Sequence, residues 1–134
     1  MRSLRFSVLP GSWAVVRLPP DSDAPAAALV PPFHSVTRTP DELSLVCPDH
    51  AVPEGARAEA GWAVLVLAGP FPFELTGILL SFLAPLAAAG VGIFAMSTFD
   101  TDYVLVKRER LDEAVAALVA AGHERVGDGP REEG

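Results

Sequence analysis

Two aspartates separated by one residue, Asp100 and Asp102, are the most chemically suggestive feature of this sequence. In extended backbone, positions two apart share a face, so the two carboxylates are expected together. Such a pair can hold a divalent cation, accept charge-assisted hydrogen bonds from an ammonium group, or cap and shape a turn. Metal-assisted nucleotide-sugar transfer is disfavoured, because the 134-residue chain offers no nucleotide-binding βαβ unit. Turn formation and ammonium binding both stay open. His34, His50 and His123 are scattered without metal-ligand spacing and read as surface or loop residues. Cys47 closes an apolar run with only His50 near it, which points to a buried thiol rather than a nucleophile. Neither Ser44 nor Ser97 sits in a G-x-S-x-G elbow, and Gly69 to Gly77 do not form a G-x-G-x-x-G fingerprint. No nucleophile, acid and base converge, so no enzymatic activity, metal or cofactor is expected.

The elements that carry these residues must come from a chain that is half hydrophobic and 20% charged, ample for a core. A formal charge of −7 argues against nucleic acid and against anionic lipid, both of which attract clustered Lys and Arg. The single cysteine excludes an intramolecular disulfide and suits a reducing, cytoplasmic setting. MRSLRFSVLPGSW has no apolar run long enough for a signal sequence, and the apolar stretch 71–96 is broken by Pro72, Glu74 and Pro85.

Alternation at Leu4, Phe6 and Val8 predicts a strand, and WAVVRL at 13–18 a second. A short helix is expected near 24–29, strands at 33–38 and 42–47, and a connector over 48–60. The β-branched run at 61–68 reads as a central strand. Apolar spacing at Ile78, Leu79, Phe82, Leu83 and Leu86 predicts a helix over 73–89, bent by Pro85 and stopped by Gly90. Strands at 91–96 and 103–107, a helix at 108–121 and a short strand at 123–126 complete a β-α-β-β-α-β order. That order is the α+β, ferredoxin-like split βαβ pattern, with antiparallel strands and two helices on one face. The first half reads as a trimmed version of the same unit. Phe82 is expected in the core, whereas Phe71, Phe73 and Phe99 are either core or site walls.

Three segments in order, DELSLVC, GPFPFELTGILLSFLAPLAAAGVGIFAM and STFDTDYVLV, resemble small ACT-domain proteins related to the amino-acid-sensing CASTOR proteins and to the regulatory ACT domains of aspartate kinases. The resemblance runs from about Leu4 to Val126. It implies two ACT-like modules, 1–58 (truncated) and 59–128, followed by a disordered tail at 129–134. It also implies a small ligand held at a module interface. Ligand contacts would come from the turn Gly69 to Phe73, from the helix start at Glu74, Leu75, Thr76 and Gly77, and from Thr98, Phe99 and Asp102. Ser44, Leu45 and Val46 would face the site from the first module. Pro70 and Pro72 depart from the pattern by removing two backbone donors. The function implied is a non-catalytic, cytoplasmic regulator that binds a free amino acid or similar small metabolite. A homodimer is expected, with a metabolic enzyme as a further partner and neither nucleic acid nor membrane. The alternative is a protein–protein interaction module without a small-molecule ligand.

Overall fold

A computed structural model of the protein describes residues 3–72 and 76–127. The chain divides into two compact units, one made of the first ten residues and everything from Ala63 onward, the other of Gly11–Trp62.

The first unit begins with β1 (Arg5–Val8) and continues from the second half of β5 (Arg57–Leu67). It then runs through α1 (Ile78–Ala88), β6 (Ile93–Ser97), β7 (Asp102–Lys107), α2 (Leu111–Ala120) and β8 (Glu124–Arg125). From β5 to β8 this is the expected β-α-β-β-α-β order. The sheet order is β6-β7-β5-β1-β8. β1 is therefore wedged between β5, its antiparallel partner, and β8, its parallel partner. A four-stranded split βαβ sheet would pair its first and last strands directly. Here β1 occupies that position, so this unit holds five strands of the sheet, with β1 and β8 running parallel. Its buried face explains the insertion: Leu4, Phe6 and Val8 join Ala63, Leu65, Leu67, Val104 and Val106 in one core, while Arg5 stays exposed. The helices cover that core with Ile78, Phe82 and Leu86 from α1 and Ala114 and Leu118 from α2. Phe82 meets Phe6 edge to face at 5.4 Å between ring centres, a favoured aromatic geometry.

α1 begins five residues later than the apolar spacing predicts. Gly77 takes a left-handed φ of 79° just before it, outside the helical range, so the helix starts at Ile78. Inside α1, Pro85 has no N–H to give to the Ser81 carbonyl four residues back. His123 supplies the missing donor. Its Nε2 lies 2.8 Å from that oxygen, and its Nδ1 accepts the Leu4 N–H at 3.0 Å. The two partners fix the tautomer, with the proton on Nε2. His123 is 4% exposed, so the expectation of a surface or loop histidine is corrected. It is a core residue bonded to β1 and α1.

In the second unit, β2 (Trp13–Leu18), β3 (Ser35–Arg38), β4 (Leu43–Pro48) and the start of β5 form antiparallel pairs in the order β3-β4-β2-β5. The helix expected near 24–29 is a single 3-10 turn at Ala26–Ala28, and a second such turn lies at Asp49–Ala51. β5 starts at Arg57, inside the predicted connector. RAEAG carries no strand signal of its own and is extended because β2 pairs with it. Ala14, Val16, Ala28, Leu43, Leu45 and Cys47 form the core of this unit. Asp49 ties its ends together, accepting from the Ser12 hydroxyl at 2.6 Å and the Gly61 amide at 3.3 Å.

Candidate functional site

The first unit holds an open cleft of about 290 Å³ between the start of α1 and the turn of the β6–β7 hairpin. Phe71, Pro72, Gly77, Ile78 and Leu79 line one side, and residues 97–102 the other. Both walls are explained by local bonding. Ser97 and Asp102 are paired across the hairpin, and the intervening loop closes with the Thr98 amide donating to the Thr101 carbonyl at 2.8 Å. The loop is then fastened to the end of β5. The Thr101 hydroxyl donates to the Leu67 carbonyl at 2.8 Å, and the Phe71 amide donates to the Asp100 carbonyl at 2.9 Å. Gly69 makes this approach feasible, since a Cβ there would lie 2.8 Å from the Asp100 carbonyl oxygen and 3.0 Å from the Thr101 Cβ.

Chemically, the cleft is bipolar. On the α1 side, Ser81 is the first amide with a helical acceptor, the Gly77 carbonyl at 2.9 Å. The Ile78, Leu79 and Leu80 amides before it have no acceptor among the described residues, and a helix N-terminus carries partial positive charge. On the hairpin side, the half-buried Asp102 carboxylate accepts from the Ser97 hydroxyl, which fixes one oxygen and leaves the other lone pairs unused by that bond. Asp100 lies in the exposed loop rather than in β7. The pair is therefore not the strand-borne D-x-D that spacing predicts, although both residues line the cleft. No group of three or more metal-ligating side chains occurs among the described residues.

Of the positions named from the resemblance, Gly77, Thr98, Phe99 and Asp102 line the cleft. Phe99 does so as a 78% exposed ring on the hairpin loop. Gly69 packs behind that loop, and Thr76 is exposed and not part of the lining. Phe73, Glu74 and Leu75 lie outside the described residues, as does the tail at 129–134. Ser44, Leu45 and Val46 are on β4 of the second unit and do not line this cleft; Leu45 and Val46 are buried, Leu45 within that unit's core. Sequence reading passed over Ser97, Thr101, Ile78 and Leu79. The hairpin register could have found Ser97, because a four-residue loop puts it opposite Asp102. Cys47 is fully buried, as expected. Burial, with Asp49 second, pushes its thiol above the ordinary range, away from a reactive thiolate.

Comparisons with known proteins agree with this geometry. The ACT domain model matches residues 57–120, and a second model, of an N-terminal domain, matches residues 11–55. The bovine cytosolic arginine sensor for mTORC1 subunit 1 is 31% identical over 97 residues, which is 64% of this chain but only 30% of that protein. The crystal structure of the Agobacterium tumefaciens protein Atu0741 superposes with a TM-score of 0.90 at 37% identity, covering both chains completely. The ligand-free regulatory subunit of Thermus thermophilus aspartate kinase superposes at 0.60 and 15% identity, over 84% of this chain and 93% of that one, a likeness of fold. Among the described residues, no helix is long and apolar enough to cross a membrane. The β-α-β-β-α-β order and these matches agree: residues 57–120 form an ACT domain, in a chain homologous to the CASTOR-type sensor and similar in fold to the regulatory domains of aspartate kinases.

Proposed function

We propose that this protein is a non-catalytic regulator that binds a free amino acid, or a small metabolite with the same zwitterionic head, in the cleft between α1 and the β6–β7 hairpin. The observation that carries the reading is the bipolar lining. The start of α1 lines one side of a space of about 290 Å³ and the residues Asp100 and Asp102 the other, with no Lys or Arg among the described lining residues. A ligand carboxylate is favoured at the helix start, where amides and partial positive charge coincide. A ligand ammonium is favoured at Asp102 through charge-assisted hydrogen bonds, with Ser97 holding the acceptor in place. Nothing in this arrangement cleaves or transfers a group. Binding would act by favouring one state of the protein, and the signal is bounded by the ligand's preference for that state. On this reading the protein is cytoplasmic, forms a homodimer and acts on a metabolic enzyme.

The test is thermal unfolding against each of the twenty amino acids at millimolar concentration. A ligand at about a hundred times its dissociation constant adds about 2.7 kcal/mol. Asp102→Asn should keep the fold and abolish the response. A wild-type protein that responds to no amino acid, or an Asp102→Asn variant that responds like wild type, refutes the proposal. One observation favours the interaction-module alternative: β6 is an edge strand, paired only with β7 among the described residues, with Ile93 exposed on it.

A further inference from the structure

The helical layer of the first unit has an outer face that is poorly suited to water. A helix lying on a sheet buries one stripe and usually turns charged residues outward. α1, with the sequence ILLSFLAPLAA, has no charged residue in any of its 11 positions. Its stripe at Ile78, Phe82 and Leu86 enters the core, and the opposite face carries Leu80, Ala84, Ala87 and Ala88. Leu80 is 66% exposed, and Ala87 and Ala88 are exposed beside it. α2 repeats the pattern beyond its first turn. Its charges are Asp112 and Glu113, after which Ala116, Val119 and Ala120 occupy the outer face, with Val119 52% exposed. The two helices pack side by side. Two bonds show how they align. Arg110, at the start of α2, donates to the Gly90 carbonyl past the end of α1 at 3.3 Å. His123, just past the end of α2, meets the carbonyl of Ser81, the neighbour of Leu80. The helices are therefore antiparallel, and their outer residues form one apolar surface with the Arg110–Glu113 ion pair at one end.

That surface offers about 400–500 Å² of apolar area, at the upper end of what a soluble monomer leaves open in one patch. A stable interface takes about 800 Å² from each partner, of which about 56–65% is apolar. The patch fills that apolar share, and the polar residues around it supply the rim. Charge selects the occupant. At a net charge of −7, two copies repel each other in most orientations. Here they can meet with Asp112 and Glu113 at one end and no charge at the centre. An uncharged apolar face is complementary to itself, as a two-fold contact requires. Its alanines let helices of the two copies approach to about 8–10 Å, ridges of one in grooves of the other. A lipid surface fits less well, because interfacial helices back their apolar stripe with Lys and Arg, and α1 has neither. We propose that the outer faces of α1 and α2 form a two-fold interface with a second copy of this chain, burying Leu80 and Val119. The proposal rests on the homodimer of the reading above, gives it an interface, and is independent of the ligand.

The experiment is sedimentation equilibrium of the purified full chain, without added amino acid, from nanomolar to high micromolar concentration. Wild type should reach twice the 14.1 kDa chain mass. Leu80→Glu and Val119→Lys each put a charge into the interface, with the sign that suits its own helix end. Both should therefore keep the far-UV circular dichroism of wild type. Each should weaken dimerisation about a hundredfold or more, because an unpaired charge is costly to bury. Ile93→Glu, on the edge strand β6, should dimerise like wild type. The double variant Leu80→Ala/Val119→Ala brings in no charge and should still weaken dimerisation about tenfold or more, through the apolar area it removes. A wild type that stays monomeric throughout, as a lipid or a different protein on this face would leave it, overturns the proposal. So does a dimer that Ile93→Glu dissociates while the Leu80 and Val119 variants leave it intact. The second result would keep the homodimer and move it to the β6 edge, whereas the first would remove it. Neither bears on the cleft, which the amino-acid response tests separately.

Discussion

Replacing His123 by leucine tests the account of how α1 is held. The imidazole satisfies two buried backbone groups, the Leu4 N–H at 3.0 Å and the Ser81 carbonyl that Pro85 leaves open at 2.8 Å. A buried polar group left unsatisfied costs about 1–3 kcal/mol. Leucine keeps the volume and the contact with Phe82, so the net loss should be about 2–4 kcal/mol. At roughly 3 °C per kcal/mol for a chain of this size, the melting temperature falls by about 6–12 °C. Urea unfolding gives the free energy directly. The decisive measurement adds Pro85→Ala, which restores an N–H four residues after Ser81. In that background the Ser81 carbonyl regains a helical donor, and His123→Leu should cost about half as much. A double-mutant cycle reads this as a coupling energy of about 1–2 kcal/mol. Equal cost in both backgrounds would show that His123 does not replace the helix bond that Pro85 deletes.

Other outcomes follow from the same structure. Gly69→Ala places a methyl group against the Asp100 carbonyl and should cost about 1–3 kcal/mol by urea unfolding, while weakening any amino-acid response. Asp49→Ala removes the acceptor shared by Ser12 and Gly61 and should cost about 1–2 kcal/mol, measured the same way. Cys47 should resist maleimide labelling in the native protein and label completely in urea. Because its folded thiol titrates above the unfolded one, the unfolded state loses its proton first. Stability should therefore fall as pH rises from about 8.5, and Cys47→Ala should flatten that decline. Ser44→Ala should leave the amino-acid response unchanged if the ligand sits in the α1–hairpin cleft, whereas the interface placement implied by the family resemblance requires a loss.

Local pattern carried the strands and the two helices, because alternation and helical spacing are properties of neighbouring residues. Leu4, Phe6 and Val8 announced a strand, and its formation was predictable. Its partners were not, because they lie some sixty residues later on one side and near residue 124 on the other. The start of β5 at Arg57 was hidden for the same reason, since pairing imposes it on a sequence with no β-branched residue. The start of α1 was misplaced because Leu75 and Phe73 extend the apolar spacing past Gly77, where the backbone turns left-handed. For the site, STFDTD pointed to Thr98, Phe99 and Asp102. The Ser97 and Thr101 contributions depend on hairpin register and on a bond to Leu67, which composition does not encode. His123 had one overlooked signal, the proline four residues after Ser81, which demands a donor from elsewhere.

The wedged position of β1 also bears on the order in which the chain can fold. β1 and the far end of β5 are separated in sequence by the whole of residues 11–62, and closing so long a loop before any contact rewards it is slow. That insert is contiguous, and its first and last strands are mutual partners, with Trp13 opposite Trp62. Once it has folded, its two ends stand side by side. β1 and the second half of β5 then meet across a gap of a few residues instead of some fifty. The insert thus acts as a clasp for the ACT sheet, and Asp49, bonded to Ser12 at one end and Gly61 at the other, is its catch. Loosening that catch should slow refolding of the entire chain in stopped-flow experiments, although the residue lies outside the ACT sheet itself.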